Sequence, residues 1–116
     1  MLNQVVLVGR IVYDLELKTS ENGKKFSILT LAIPRSFKNM EGNYDTDFIR
    51  CLIWDHVAEN TKEYCKKGDI VGLKGRVQSR TIEKEDKKET IMEVIGEKVT
   101  FLTSKKESEV TDKISS

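Results

Sequence analysis

The chain has 116 residues, enough for one domain with a modest core. Its 20 Lys and Arg stand against 19 Asp and Glu, a net charge of +1, which excludes a uniformly basic polyanion binder. Any affinity for phosphates must come from local charge placement. No stretch approaches the roughly 18 apolar residues that a membrane-spanning helix needs.

Cys51 and Cys65 are the only cysteines and His56 the only histidine, and no C-x-x-C spacing occurs. A metal site is therefore not expected, and the two thiols read as small buried apolar groups in a reducing compartment. The first ten residues lack a basic segment ahead of a long apolar run, so no secretory signal is read there. The expectation is a soluble cytoplasmic protein.

The first strand is read in Gln4-Val5-Val6-Leu7-Val8-Gly9-Arg10-Ile11-Val12, dense in β-branched residues. Asn22-Gly23 marks a hairpin turn, since both residues tolerate positive φ. A second strand is predicted over residues 25–34, ended by Pro34, which cannot donate to a ladder. Phe37 then falls in a polar loop, followed by a third strand over 46–54.

A helix is predicted over 57–67. Asp55 is its expected N-cap, Val57, Ala58, Thr61, Tyr64 and Cys65 its apolar stripe, and Gly68 its C′ residue. Tyr64 and Tyr13 are assigned to the core or to a subunit contact. A fourth strand over 69–79 is bent or bulged at Gly72 and Gly75. A charged hairpin over 83–89 leads to a fifth strand over 90–95 and a short final piece over 99–102. This order, with the helix between the third and fourth strands, is that of an all-β, five-stranded OB barrel. The domain is expected to span 1–103, with a disordered Ser-, Lys- and Glu-rich tail over 104–116.

Strand alternation puts Phe48, Arg50, Leu52 and Trp54 on one face and Ile49, Cys51 and Ile53 on the other, which is the better core face. Phe37, Phe48 and Trp54 can then stack bases, with Arg35, Lys38, Arg50, Arg76 and Arg80 near them to hold phosphates. The pattern needs no catalytic group. No nucleophile–base set, metal cluster or phosphate-cradling glycine loop is found, so neither an enzyme nor a cofactor is expected. The uncharged, apolar run at Val5, Val6, Leu7 and Val8 invites pairing with a second copy.

Beyond these patterns, the opening run Met1 to Arg10 resembles that of bacterial and phage single-stranded DNA-binding proteins. So do Asn22-Gly23, Leu31-Ala32, Asp47-Phe48-Ile49, Trp54, Ala58-Glu59-Asn60, Lys66-Lys67-Gly68 and Gly75-Arg76. The matches run in collinear order over residues 1–102 and are most similar to the version in low-GC Gram-positive bacteria and their phages. The resemblance implies an OB fold that coats single-stranded DNA in replication, recombination and repair. It also implies a homotetramer or homodimer, with Asn3, Val5, Val6, Leu7 and Val8 as the subunit contact. Phe37, Phe48 and Trp54 fall on the family's stacking positions, and Arg10, Arg35, Arg50, Arg76 and Arg80 on its basic ones.

Two departures stand out. Ile82 occupies a position where the family places Trp or Tyr, so one stacking platform is missing. The chain ends at Thr111-Asp112-Lys113-Ile114-Ser115-Ser116 without the acidic tip by which full-length members dock replication and recombination proteins. A native short form is the expectation. The competing readings are a primosomal accessory module that binds a protein partner more tightly than DNA, and an RNA-binding barrel.

Overall fold

The structure, a computed structural model, describes residues 1–104. The expected tail beyond Ser104 lies outside the described residues. The elements are β1 (Val5–Ile11), β2 (Lys18–Thr19), β3 (Lys25–Lys38), β4 (Tyr44–Trp54), α1 (Asp55–Tyr64), β5 (Ile70–Lys84) and β6 (Lys87–Thr103). The sheet runs β1–β5–β6–β4–β3 and closes through a short β1–β3 pairing, Arg10 opposite Ala32 and Ile11 opposite Leu31. The two-residue β2 only trims the edge of β3. The expected five-stranded barrel is thus present, with α1 between its third and fourth long strands.

Inward-facing residues of β1, β3, β4 and β5 meet in one core: Ile11, Leu29, Leu31, Cys51, Ile53, Val71 and Leu73, with Val94 and Val99 of β6 packed against it and Ala58 of α1 and Cys65 closing one end. Burial raises the Cys51 thiol to about 11, and burial followed by the nearby Asp69 charge raises that of Cys65. Both are therefore neutral thiols, packed as small apolar groups.

Glycine is forced where strands crowd. A Cβ on Gly75 would lie 1.9 Å from the Ile95 carbonyl oxygen, and the β5–β6 register shifts between Lys74 and Gly75. The bulge expected on this strand is therefore at Gly75. At Gly72 the nearest atom is 3.8 Å away, and the strand passes without a break.

Several boundaries differ from the sequence reading. Pro34 does not end its strand: β3 continues to Lys38 with a register shift between Pro34 and Lys38. Beyond the barrel β3 has β4 on one side only, so a missing N–H leaves no ladder bond unmade. Phe37 consequently lies in a strand, not a loop. Residues 87–103 form one continuous strand, because Gly96 crosses the barrel inside, against Ile53 and Leu73, without breaking it.

The helix starts two residues earlier than expected, and Trp54, not Asp55, occupies the N-cap position, with no side-chain cap. Asp55 instead has φ of +48°, turning the chain from β4 into α1. Gly68 is not the C′ residue either, since Cys65 caps α1 in extended conformation. Tyr64 and Tyr13 are exposed rather than core residues.

Two hairpins run past the barrel wall. The β3–β4 arm ends at a tip organised by Asn39, whose Oδ1 accepts from the Glu41 and Asn43 amides at 2.9 and 3.0 Å. The β5–β6 arm ends at Glu85-Asp86, both in the left-handed region at φ 51° and 64°.

Candidate nucleic-acid interface

The alternation on β4 is as the sequence pattern implies: Phe48 and Arg50 are exposed, while Cys51 and Ile53 are fully buried. Register extends this face across three strands. Arg10 lies opposite Ala32, and Ala32 opposite Phe48, so an aromatic and a basic position share one cross-strand row. Arg50 is one pleat further along, opposite Thr30. Phe48 is 64% exposed on this face.

The remaining aromatic positions spread outward from this row. Phe37 and Tyr44 are exposed on the β3–β4 arm, and the Lys38 ammonium sits 5.8 Å from the centre of the Tyr44 ring, opposite which it pairs. Trp54 lies at the far end of β4, half-buried, its ring centre 5.3 Å from that of Phe26 and tilted by 43°. Trp54 thus packs against Phe26 and also lines a cleft with Ser20, Asn22 and Lys24.

The basic side chains are not equivalent. Arg35 donates from Nε and Nη2 to Asp47 at 2.9–3.2 Å and places Nη1 3.7 Å from Asp45. Those hydrogen bonds raise the Arg35 pKa and lower that of Asp47. Arg10 donates to the Gly68 carbonyl at 2.7 Å. Arg76 donates to Gln78, and Arg80 to Glu93. Arg50 makes no hydrogen bond or ion pair among the described residues, so its whole guanidinium is available.

A groove of about 270 Å³ runs between the arms where β4 and β6 part, lined by Ile28, Arg50, Leu52, Arg80, Ile91 and Glu93. Beside it a second hollow of about 390 Å³ is lined by Phe48, Arg50, Val77 and Met92. The fold thus brings Phe48, Arg50 and Arg80 to one place. Phe37 and Lys38 stand on the arm above, and Trp54 at the opposite end. Tyr44, Met92, Asp47 and Glu93 belong to this surface and escaped the sequence reading. Tyr44 could have been found from its place across a Gly-Asn turn from Lys38; the others depend on strand register.

The expected subunit contact is partly exposed. Val6 and Val8 point outward, while Asn3 is bonded within its own chain, accepting from the Val77 amide at 2.9 Å and donating to the Val77 carbonyl. Among the described residues no helix is long and apolar enough to cross a membrane, and no cluster of His, Cys, Asp and Glu could hold a metal ion.

A closed five-stranded barrel with one capping helix, an outward row of aromatic and basic side chains and two projecting arms defines an OB-type binding barrel. The sequence profile of the Single-strand binding protein family matches residues 2–102, and the chain belongs to that family. Among its relatives is the Single-stranded DNA-binding protein B of Bacillus subtilis, 40% identical over 113 residues that make up 97% of this chain and all of that one. The Single-stranded DNA-binding protein of Oceanobacillus iheyensis is 44% identical over 106 residues, covering 90% of this chain but 66% of its own length. The chain therefore spans just under two thirds of that longer relative. Of solved structures, a deletion mutant of the single-stranded DNA-binding protein from Thermus aquaticus superposes with a TM-score of 0.72 at 25% identity, over 87% of this chain and 50% of that one. A Plasmodium falciparum SSB in complex with ssDNA shares the fold, with a TM-score of 0.71 at 24% identity over 88% and 96% of the two chains.

Proposed function

We propose that this chain is a non-enzymatic, sequence-tolerant coat for single-stranded DNA in replication, recombination and repair in the cytoplasm. The observation that carries this reading is the exposed Phe48, in one cross-strand row with the half-buried Arg10 and with the exposed Arg50 beside it, set between two arms on a family barrel. Bases lie flat on Phe48, Phe37 and Trp54, without regard to base identity. Arg50, Arg10, Arg76 and Arg80 neutralise the backbone, with Lys38 at the arm and Arg35 once released from its acids. Each phosphate neutralised releases counterions, so affinity falls as salt rises.

Trp54 is the only tryptophan, so its fluorescence reports on one position. Titration with poly(dT) at two salt concentrations should quench it, with weaker binding at the higher salt. Unchanged emission together with no retention of labelled oligo(dT) would sink the reading.

Self-association through β1 belongs to the same proposal. Val6 and Val8 are exposed, and from Val5 to Gly9 β1 pairs with β5 on one side while its pairing to β3 is confined to Arg10 and Ile11. An edge of this kind, free of charge, pairs readily with a two-fold copy of itself, giving a dimer or tetramer. Sedimentation that finds only monomer at micromolar concentration removes this part. A weaker-binding accessory module that contacts replication proteins is the second reading. It is favoured by the carboxylates that already occupy Arg35 and Arg80.

A further inference from the structure

The outward face of the β5–β6 arm carries a continuous chain of side-chain hydrogen bonds. Arg76 Nη1 donates to Gln78 Oε1 at 2.8 Å, and Gln78 Nε2 donates to Glu93 Oε1 at 2.9 Å. Arg80 Nε donates to Glu93 Oε2 at 3.4 Å and lies 3.3 Å from Oε1. Register explains the grouping: Arg76, Gln78 and Arg80 are alternate residues of β5, and Glu93 of β6 is directly opposite Gln78.

A carboxylate in a groove meant for phosphates can act in two opposite ways. It can compete with the ligand for the arginines, or it can hold them ready. The contact geometry separates the two. At Arg35 two nitrogens donate to Asp47 and the third lies 3.7 Å from Asp45, so a carboxylate stands beside every nitrogen of the guanidinium. At Arg80 only Nε is engaged, and neither terminal nitrogen makes a hydrogen bond among the described residues. The Glu93 side chain is 17% exposed and sits low between the strands, whereas that of Arg80 is 57% exposed and reaches above it. Gln78 spans the gap, its oxygen committed to Arg76 and its amide to Glu93.

We propose that Glu93 is a positioning residue for single-strand binding: through Gln78 and Arg80 it fixes the two arginines of this arm and leaves the terminal N–H groups of Arg80 turned to the groove. The inference rests on the single-strand reading given above. Long basic side chains lose rotamer freedom when a ligand fixes them, and a side chain fixed beforehand loses less. The neighbouring Arg50 lines the same groove as Arg80, so two guanidinium groups bracket one stretch of backbone.

The sign of one substitution decides the matter. Glu93→Ala removes a negative charge from the binding face, so charge counting alone requires tighter binding. If Glu93 positions Arg80, Glu93→Ala weakens binding of fluorescein-labelled oligo(dT) by the full-length chain about two- to tenfold. It also lowers the slope of affinity against salt by about one phosphate contact, as Arg80→Ala does. Glu93→Gln, which keeps an acceptor for Arg80, retains most of the affinity, and Glu93→Ala costs less in an Arg80→Ala background than in wild type. Circular dichroism confirms that each variant is folded, and Gln78→Ala breaks the same chain should Glu93→Ala fail to fold. Tighter binding by Glu93→Ala makes Glu93 a competitor and overturns the proposal, as does unchanged affinity and slope. Failure of the wild-type chain to bind removes the single-strand reading itself, a different result from an effect confined to these variants.

Discussion

Arg35 grips Asp47 through two nitrogens at once, at the root of the β3–β4 arm, while its third nitrogen turns toward Asp45. The edge of the guanidinium formed by Nε and Nη2 is thus taken, and it opens to a phosphate only when Asp47 lets go. Asp47→Asn should therefore tighten oligo(dT) binding about two- to fivefold at low salt, an advantage that fades as salt screens the face. The pair also carries a pH signature. The bonds from Arg35 hold the Asp47 pKa below its ordinary 3.8. A depressed carboxylate stabilises the fold above its unfolded value, and that contribution disappears as pH falls through the folded value. The stability difference between wild type and Asp47→Asn should thus be flat from about pH 7 to pH 5 and lost as pH falls below the ordinary carboxylate value of 3.8, and small throughout because the pair is exposed. Chemical denaturation at a series of pH values measures it.

Phe48 is expected to dominate the stacking. Base–aromatic contacts in proteins of this class are worth about 1–3 kcal/mol each, a range taken from the class and not from this chain, so Phe48→Ala should weaken binding about five- to a hundredfold. Phe48→Trp should preserve it. Ile82, half-buried on the β5–β6 arm, stands where an aromatic would add a further platform, and Ile82→Trp should tighten binding by a factor in the same range. Anisotropy titrations with labelled oligo(dT) give both numbers; an Ala variant at position 48 that binds like wild type would remove Phe48 from the interface.

Gly75 and Gly72 are three residues apart on β5 and should respond oppositely. A methyl group on Gly75 collides with backbone, which has no rotamer by which to yield, so Gly75→Ala should abolish folding or cost several kcal/mol. A methyl group on Gly72 would make ordinary contact with Leu102 at 3.8 Å, and Gly72→Ala should be neutral or stabilising by about 0.5–1 kcal/mol. Thermal melts of the two variants decide it.

The turn at Glu85-Asp86 uses two left-handed residues that both carry a Cβ and like charges. Replacing the pair with Asn-Gly, the combination best suited to this two-residue hairpin, should raise stability by about 1–2 kcal/mol. The melting temperature should rise accordingly, with DNA binding unchanged if the tip lies clear of the strand.

What could be read from the sequence followed from local periodicity. Residues 48–54 alternate so strictly that the residues alone divide β4 into a buried and an exposed face, and with that division Phe48 and Arg50 are found. Pro34 misled because a proline's cost depends on whether its strand has one neighbour or two, which is a property of the sheet. The start of α1 misled because Asp55 looks like a cap, while the chain instead needed a left-handed turn at that residue. The partners of the arginines were beyond reach for a related reason. Asp47 and Glu93 lie 12 and 13 residues from Arg35 and Arg80, and only register brings them together.

The parallel seam between β4 and β6 is three residues long, Cys51 to Ile53 against Val94 to Gly96, and both arms depart from its edge. They resemble the jaws of tongs riveted at one pin. Among the described residues β4 and β6 share no ladder bond beyond those three, so each jaw takes its slope from its own hairpin partner and not from the opposite jaw.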